Sequence, residues 1–190
     1  LAARFRCSRT PIREALARLC ADGLIQREEY GFSPVRPNIA RIRDLYEVRL
    51  ALELAGIQRA IDNPDVVHDR ELLLAQQQRW ESLRADPPAQ EPGFVVVDEE
   101  FHVALLKAAG NREMVNALLS ANARIRHVRM YDFMVNNRIE VTITEHLAIL
   151  EAVLTGRLEQ ARELLRAHIG ASLDVVFDRV SRAILAMSAA

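Results

Sequence analysis

The chain has 190 residues, half of them hydrophobic, with only seven glycines and seven prolines. That is enough for one sizeable core plus a small second domain, and it excludes disordered and fibrous classes. No run of roughly eighteen or more apolar residues occurs and the N-terminus lacks a signal-peptide pattern, so a cytoplasmic protein with no membrane partner is expected. The net charge of −1 is unevenly spread, since residues 1–36 hold seven arginines against four acidic residues and the remainder is net acidic.

In chain order, residues 1–5 read as the end of a helix and Arg6-Cys7 as a turn. The stretch CSRTPIREALARL, residues 7–19, follows as a second helix. Ser8 or Thr10 can cap it, Pro11 is tolerated in its first turn, and Glu14 lies near its positive N-terminus. Ile12, Ala15, Leu16 and Leu19 fall on one face. Arg9, Arg13 and the hydroxyls of Ser8 and Thr10 are left at the leading end, where they can meet phosphates and guanine edges in a major groove. The same spacing also suits a solvated surface helix, but the neighbouring sequence favours a DNA reader. Gly23-Leu24-Ile25 exits the helix, and QREEYGFSPV, residues 26–35, reads as a short β-ribbon turning near Gly31. A tight helix-turn-helix followed by a ribbon is the winged helix-turn-helix pattern. Cys7 and Cys20 have no CxxC spacing and read as free, mostly buried thiols in a reducing compartment.

Two prolines within residues 33–38 separate two kinds of sequence, which places a border between domains 1–36 and 37–190. Beyond it, apolar periodicity predicts helices over residues 39–61, 65–84, 93–109, 112–134, 138–154 and 158–187. Short breaks at Asn63-Pro64, Asp86-Pro87-Pro88, Gly110-Asn111, Asn136-Asn137 and Thr155-Gly156 make neighbours antiparallel. The expected fold is mainly α: a partial winged helix-turn-helix domain followed by an all-α antiparallel bundle.

Within the bundle, Leu50, Leu54, Ile57, Leu147, Leu150 and Leu154 read as core, Trp80 as a partly buried packing residue, and Glu99 and Glu100 as exposed. Asp98 and His102 stand four apart, which stacks both on one helix face. His146 and His168 flank the turn at Gly156 at nearly matched spacing, about 15–18 Å from it in an antiparallel hairpin. One carboxylate and three imidazoles can therefore converge as ligands to a divalent transition metal such as zinc, nickel, iron or manganese. Separate packing roles for each histidine are the alternative. Asn122 and Arg126 share a face one turn apart, and Arg126 can clamp a carboxylate with two hydrogen bonds. Arg49 is a further anion-binding candidate, with an internal ion pair to Glu53 as the competing reading. His68 and His127 receive no role.

The segments LAARF, SRTPIREAL and ADGLI resemble the winged-helix domain of the GntR family of bacterial transcription regulators. By that resemblance Ser8, Arg9, Thr10 and Arg13 fall where family members contact DNA, and Tyr30 and Gly31 fall at the wing tip. The family's domain begins with a further helix and strand, whereas this chain starts inside its second helix. From Asn38 onward, DLYEVRLALE, DEEFHVALLKAAGN, TEHLAILEAV and LLRAHIGAS resemble the FCD effector domain of the FadR subfamily. That resemblance implies metal ligation by Asp98, His102, His146 and His168, and small carboxylic or sugar acids as effectors. The expected function is a ligand-responsive regulator, a repressor by the commoner arrangement, acting as a homodimer on operator DNA. A metal-dependent hydrolase and a pure metal sensor are the competing readings.

Overall fold

The computed structural model describes residues 1–21, 24–35, 38–134 and 137–188. Gly23, Asn136 and the expected border at residues 36–37 lie outside them. The chain divides into two compact units, Leu1–Asn38 and Ile39–Ala190.

In the first unit, α1 (Ala2–Phe5) ends at Arg6, whose backbone is left-handed (φ 51°) and turns the chain into α2 (Arg9–Ala21). Ile12, Leu16, Leu19 and Cys20 are half-buried along one side of α2, while its arginines are exposed. β1 (Ile25–Glu28) and β2 (Gly31–Pro34) pair antiparallel with Glu28 opposite Gly31, so the two-residue turn is Glu29-Tyr30. Gly31 opens β2 at φ 141°, a conformation suited to glycine. The cysteines are free, as expected, but they are not mostly buried: Cys7 is exposed and Cys20 half-buried. Both sit on a small unit whose helices bury no residue fully.

The second unit is an all-α bundle of α3 (Ile39–Asp62), α4 (Arg70–Ala85), α5 (Phe94–Ala108), α6 (Arg112–Arg129), α7 (Arg138–Leu154) and α8 (Leu158–Ser188). α3 packs on α8 and α6, α4 on α7 and α5, and α7 on α8. Ile57, Phe101, Leu118, Ile125, Ile149, Leu150, Leu165 and Val176 are buried at its centre, each such side chain stabilising the fold by about 1.5–3 kcal/mol. Among the described residues no helix is long and apolar enough to cross a membrane.

Two element borders differ from the sequence expectation by more than two residues. α4 starts five residues late because the Asp69 carboxylate accepts from the Leu72 N–H at 3.0 Å and caps it there, while the Asp69 N–H donates to the Ala108 carbonyl at 2.9 Å. α6 stops at Arg129, before a single 3-10 turn at Asp132–Met134. That turn points the Asp132 carboxylate inward, where it accepts from Ser172 Oγ (2.6 Å) and Arg138 Nε (2.9 Å).

Candidate metal centre

The hairpin of α7 and α8 is set by its turn. Gly156 adopts φ 75°, its N–H donates to the Val153 carbonyl and the Arg157 N–H to the Ala152 carbonyl. This is a Schellman closure, which terminates α7 sharply and lets α8 run back along it. The register brings His146 Nε2 to 3.1 Å from His168 Nε2. α5 supplies Asp98 and His102, and His102 Nε2 lies 3.2 Å from His168 Nε2. Asp98 Oδ1 is 3.5 Å from His146 Nε2, and Asp98 Oδ2 is 3.7 Å from His102 Nε2. All four residues are buried, and one ligand atom from each lies within 4.8 Å of the others.

These separations fit a shared ion. Metal–nitrogen bonds of about 2.0–2.1 Å place neighbouring ligand atoms roughly 3.0–3.4 Å apart, and the Nε2 pairs stand at 3.1 and 3.2 Å. Protonation favours ligation as well. Burial pushes the His146 imidazole well below its usual range, helped by the neighbouring His168, and burial also lowers His168 against the opposing Glu145 carboxylate. Both are therefore neutral near pH 7, the form that binds metal. Burial alone would raise Asp98, but the Arg129 guanidinium, followed by His102, holds it well below the carboxylate range.

Each imidazole is oriented differently. Glu53 Oε2 accepts from His102 Nδ1 at 2.5 Å, and Glu145 Oε2 from His168 Nδ1 at 2.6 Å. His146 stacks on Phe101 (centroids 3.6 Å apart, planes at 9°) and meets the edge of Trp80. Its Nδ1 is buried with no hydrogen-bond partner among the described residues. Trp80 is wholly buried instead of partly so, walled by Phe94, Phe101 and His146.

Glu99 departs furthest from expectation. It is buried, because Arg126 and Arg129 both turn toward it, while Glu100 is exposed as expected. Arg126 gives both Nε and Nη2 to Glu99 Oε2, at 3.0 and 2.7 Å, and its side chain is 40% exposed. Glu99 therefore occupies the Nε edge of the Arg126 guanidinium. Arg129 is fully buried, pairs with Asp98 and reaches Glu99. The sequence reading missed it, although Asn122, Arg126 and Arg129 follow one helical face.

Arg49 is wholly buried. Its Nε donates to Glu53 at 2.6 Å, which is the competing ion pair, yet Nη1 and Nη2 have no partner among the described residues. Asn122 Nδ2 and Oδ1 and Thr142 Oγ1 are buried and unpartnered in the same way. Such orphans cost about 1–3 kcal/mol each and call for a partner. In the first unit, Ser8, Arg9, Thr10 and Arg13 are exposed at the leading end of α2, and Tyr30 and Gly31 are exposed at the ribbon turn.

The family of FCD domains matches residues 44–171, and the gntR family of bacterial regulatory proteins matches residues 1–31. The chain is 30% identical to the HTH-type transcriptional regulator YdhC of Bacillus subtilis (strain 168), over 88% of this chain and 75% of that one. It is 29% identical to the Nta operon transcriptional regulator of Aminobacter aminovorans, over 97% and 85%. Among solved structures, a GntR regulator from Rhodococcus sp. RHA1 superposes with a TM-score of 0.64 at 21% identity, over 93% of this chain and 84% of that one. The metal-free FCD domain of TM0439 superposes with a TM-score of 0.63 at 20% identity, over 77% and 98%; these two likenesses concern the fold.

Proposed function

Because this chain belongs to the GntR family of DNA-binding transcriptional regulators with an FCD domain, and is therefore not an enzyme, we propose that its bundle senses a small carboxylic or sugar acid at a divalent metal. Asp98, His102, His146 and His168 hold the ion. The observation that carries the reading is the convergence of these four buried side chains within 4.8 Å. A bound divalent ion offers open positions that a carboxylate can occupy.

Charge balance supports an anionic effector. Arg49 pairs with Glu53, and Arg129 with Asp98, so an added divalent ion brings positive charge that only Glu145, one imidazole away behind His168, is placed to offset in part. The unpartnered groups of Arg49 and Asn122 supply donors for the acid, while the Nε edge of Arg126 is already held by Glu99. Ser8, Arg9, Thr10 and Arg13 meet the operator's major groove, with Tyr30 and Gly31 at the wing tip. The regulator works as a homodimer and represses until the acid binds. The acid changes operator occupancy only through different affinities for the DNA-competent and incompetent states.

A thermal-shift screen of small organic acids tests this, run on Zn²⁺-loaded and metal-stripped protein and on Asp98→Ala. The reading expects an acid that raises the melting temperature of the loaded wild type and of neither other sample. Equal stabilisation of all three would place the acid away from the metal.

A further inference from the structure

We propose that Glu53 is a positioning residue that fixes His102 for the metal and ties the metal centre to α3. This rests on the metal reading above. An imidazole that ligates through Nε2 must carry its proton on Nδ1, and a carboxylate accepting that proton sets both tautomer and ring orientation. Glu53 Oε2 stands 2.5 Å from His102 Nδ1, and its other oxygen, Oε1, is occupied by Arg49 Nε at 2.6 Å. Both oxygens are thus committed, in a side chain only 1% exposed.

The three imidazoles are not held alike, and the difference gives Glu53 its second role. Glu145, which holds His168, lies on α7 within the ligand-bearing hairpin and is 32% exposed. His146 is held by rings from α4 and α5. Glu53 instead belongs to α3, which contributes none of the four ligands and is the helix that follows residues 36–38 from the DNA-reading unit. Arg49, one turn earlier on α3, braces it. Ordering His102 at an ion therefore orders the middle of α3.

The test is Zn²⁺ affinity by chelator competition, with hydrogen exchange over residues 39–62 in metal-free and Zn²⁺-saturated protein, for wild type, Glu53→Gln and Glu145→Gln. In Glu53→Gln one carbonyl oxygen replaces two carboxylate oxygens that each serve a donor. We expect Zn²⁺ to slow exchange in α3 of the wild type. Glu53→Gln should bind Zn²⁺ about 10–100-fold more weakly and show no slowing in α3 even at saturation. Glu145→Gln should also bind more weakly but keep the α3 response. Should Glu53→Gln not fold, the double variant Arg49→Met with Glu53→Met removes both charges of the buried pair together and is read the same way. Wild-type affinity or a wild-type α3 response in the Glu53 variants overturns the proposal while leaving the metal reading intact. A wild type that takes up no Zn²⁺ overturns the metal reading, and this role with it.

Discussion

Arg129 Nη2 donates to Asp98 Oδ2, and Nη1 lies 3.4 Å from Glu99 Oε1, with all three side chains buried. Replacing Arg129 by Met strands the Asp98 carboxylate out of water, while Glu99 keeps Arg126, at an expected loss of about 3–5 kcal/mol measured as a lower urea midpoint. Zn²⁺ should restore part of that loss, because an ion at Asp98 supplies the missing positive charge. An unchanged midpoint would contradict the pairing. At this scale the sequence was informative where partners are helical neighbours. Asp98 and His102 stand one turn apart, and so do Arg49 and Glu53. Apart from His146 and His168, which a turn relates, it was silent where partners come from different helices: Glu53 and His102 are 49 positions apart, Arg129 and Asp98 31, Glu145 and His168 23. No periodicity relates such positions, which is why Glu99 was expected on the surface and Arg129 went unnoticed.

The α7–α8 hairpin places His146 and His168, and α6 carries Arg129 to Asp98. A Cβ at Gly156 would meet nothing within 4 Å, so the cost of Gly156→Ala comes only from its φ of 75°. It should lower stability by roughly 1 kcal/mol, and a thermal melt with no change would argue against a left-handed turn there. The Asn111 side chain accepts from the N–H groups of Glu113 and Met114, each at 3.1 Å. Asn111→Ala should cost about 0.5–2 kcal/mol by the same measurement, whereas a neutral outcome would mean the cap is not formed. Glycine, proline and asparagine breakers made most element borders legible, and the pairing of His146 with His168 followed from turn position alone. α4 escaped because the expected start at Asp65 passed over the Asp69 cap, which is also tied to Ala108, and α6 because Asp132 is held by Ser172 across the bundle.

Across the whole molecule, buried titratable groups link stability to pH in one main direction. Burial lowers His146, His168 and His68 below their ordinary 6.5. They stay neutral in the fold while the unfolded chain takes up protons, so their contribution is full above about pH 6.5 and is lost as pH falls below it. Glu53 is held down to about 2, since His102 and Arg49 outweigh the opposing effect of burial. Its contribution, with that of Asp98, is lost below their unfolded values of 4.5 and 3.8. Asp132, raised by burial, acts in the opposite sense over the carboxylate range. Metal-free protein should therefore melt at a lower temperature near pH 5.5 than near pH 7.5, by roughly 2–4 °C for each kcal/mol lost; a flat profile would contradict neutral buried histidines. The fold class, a winged helix-turn-helix followed by a helical bundle, was readable from motif and periodicity, whereas the charge pairing inside the bundle was not. The most direct test of the metal centre is a Co²⁺ titration followed by visible absorption, on wild type and His168→Ala. Ligation by the four side chains predicts ligand-field bands that saturate at one ion per chain and weaken or vanish in the variant. Absent bands in the wild type, or identical spectra from both proteins, would contradict ligation by the four converging side chains.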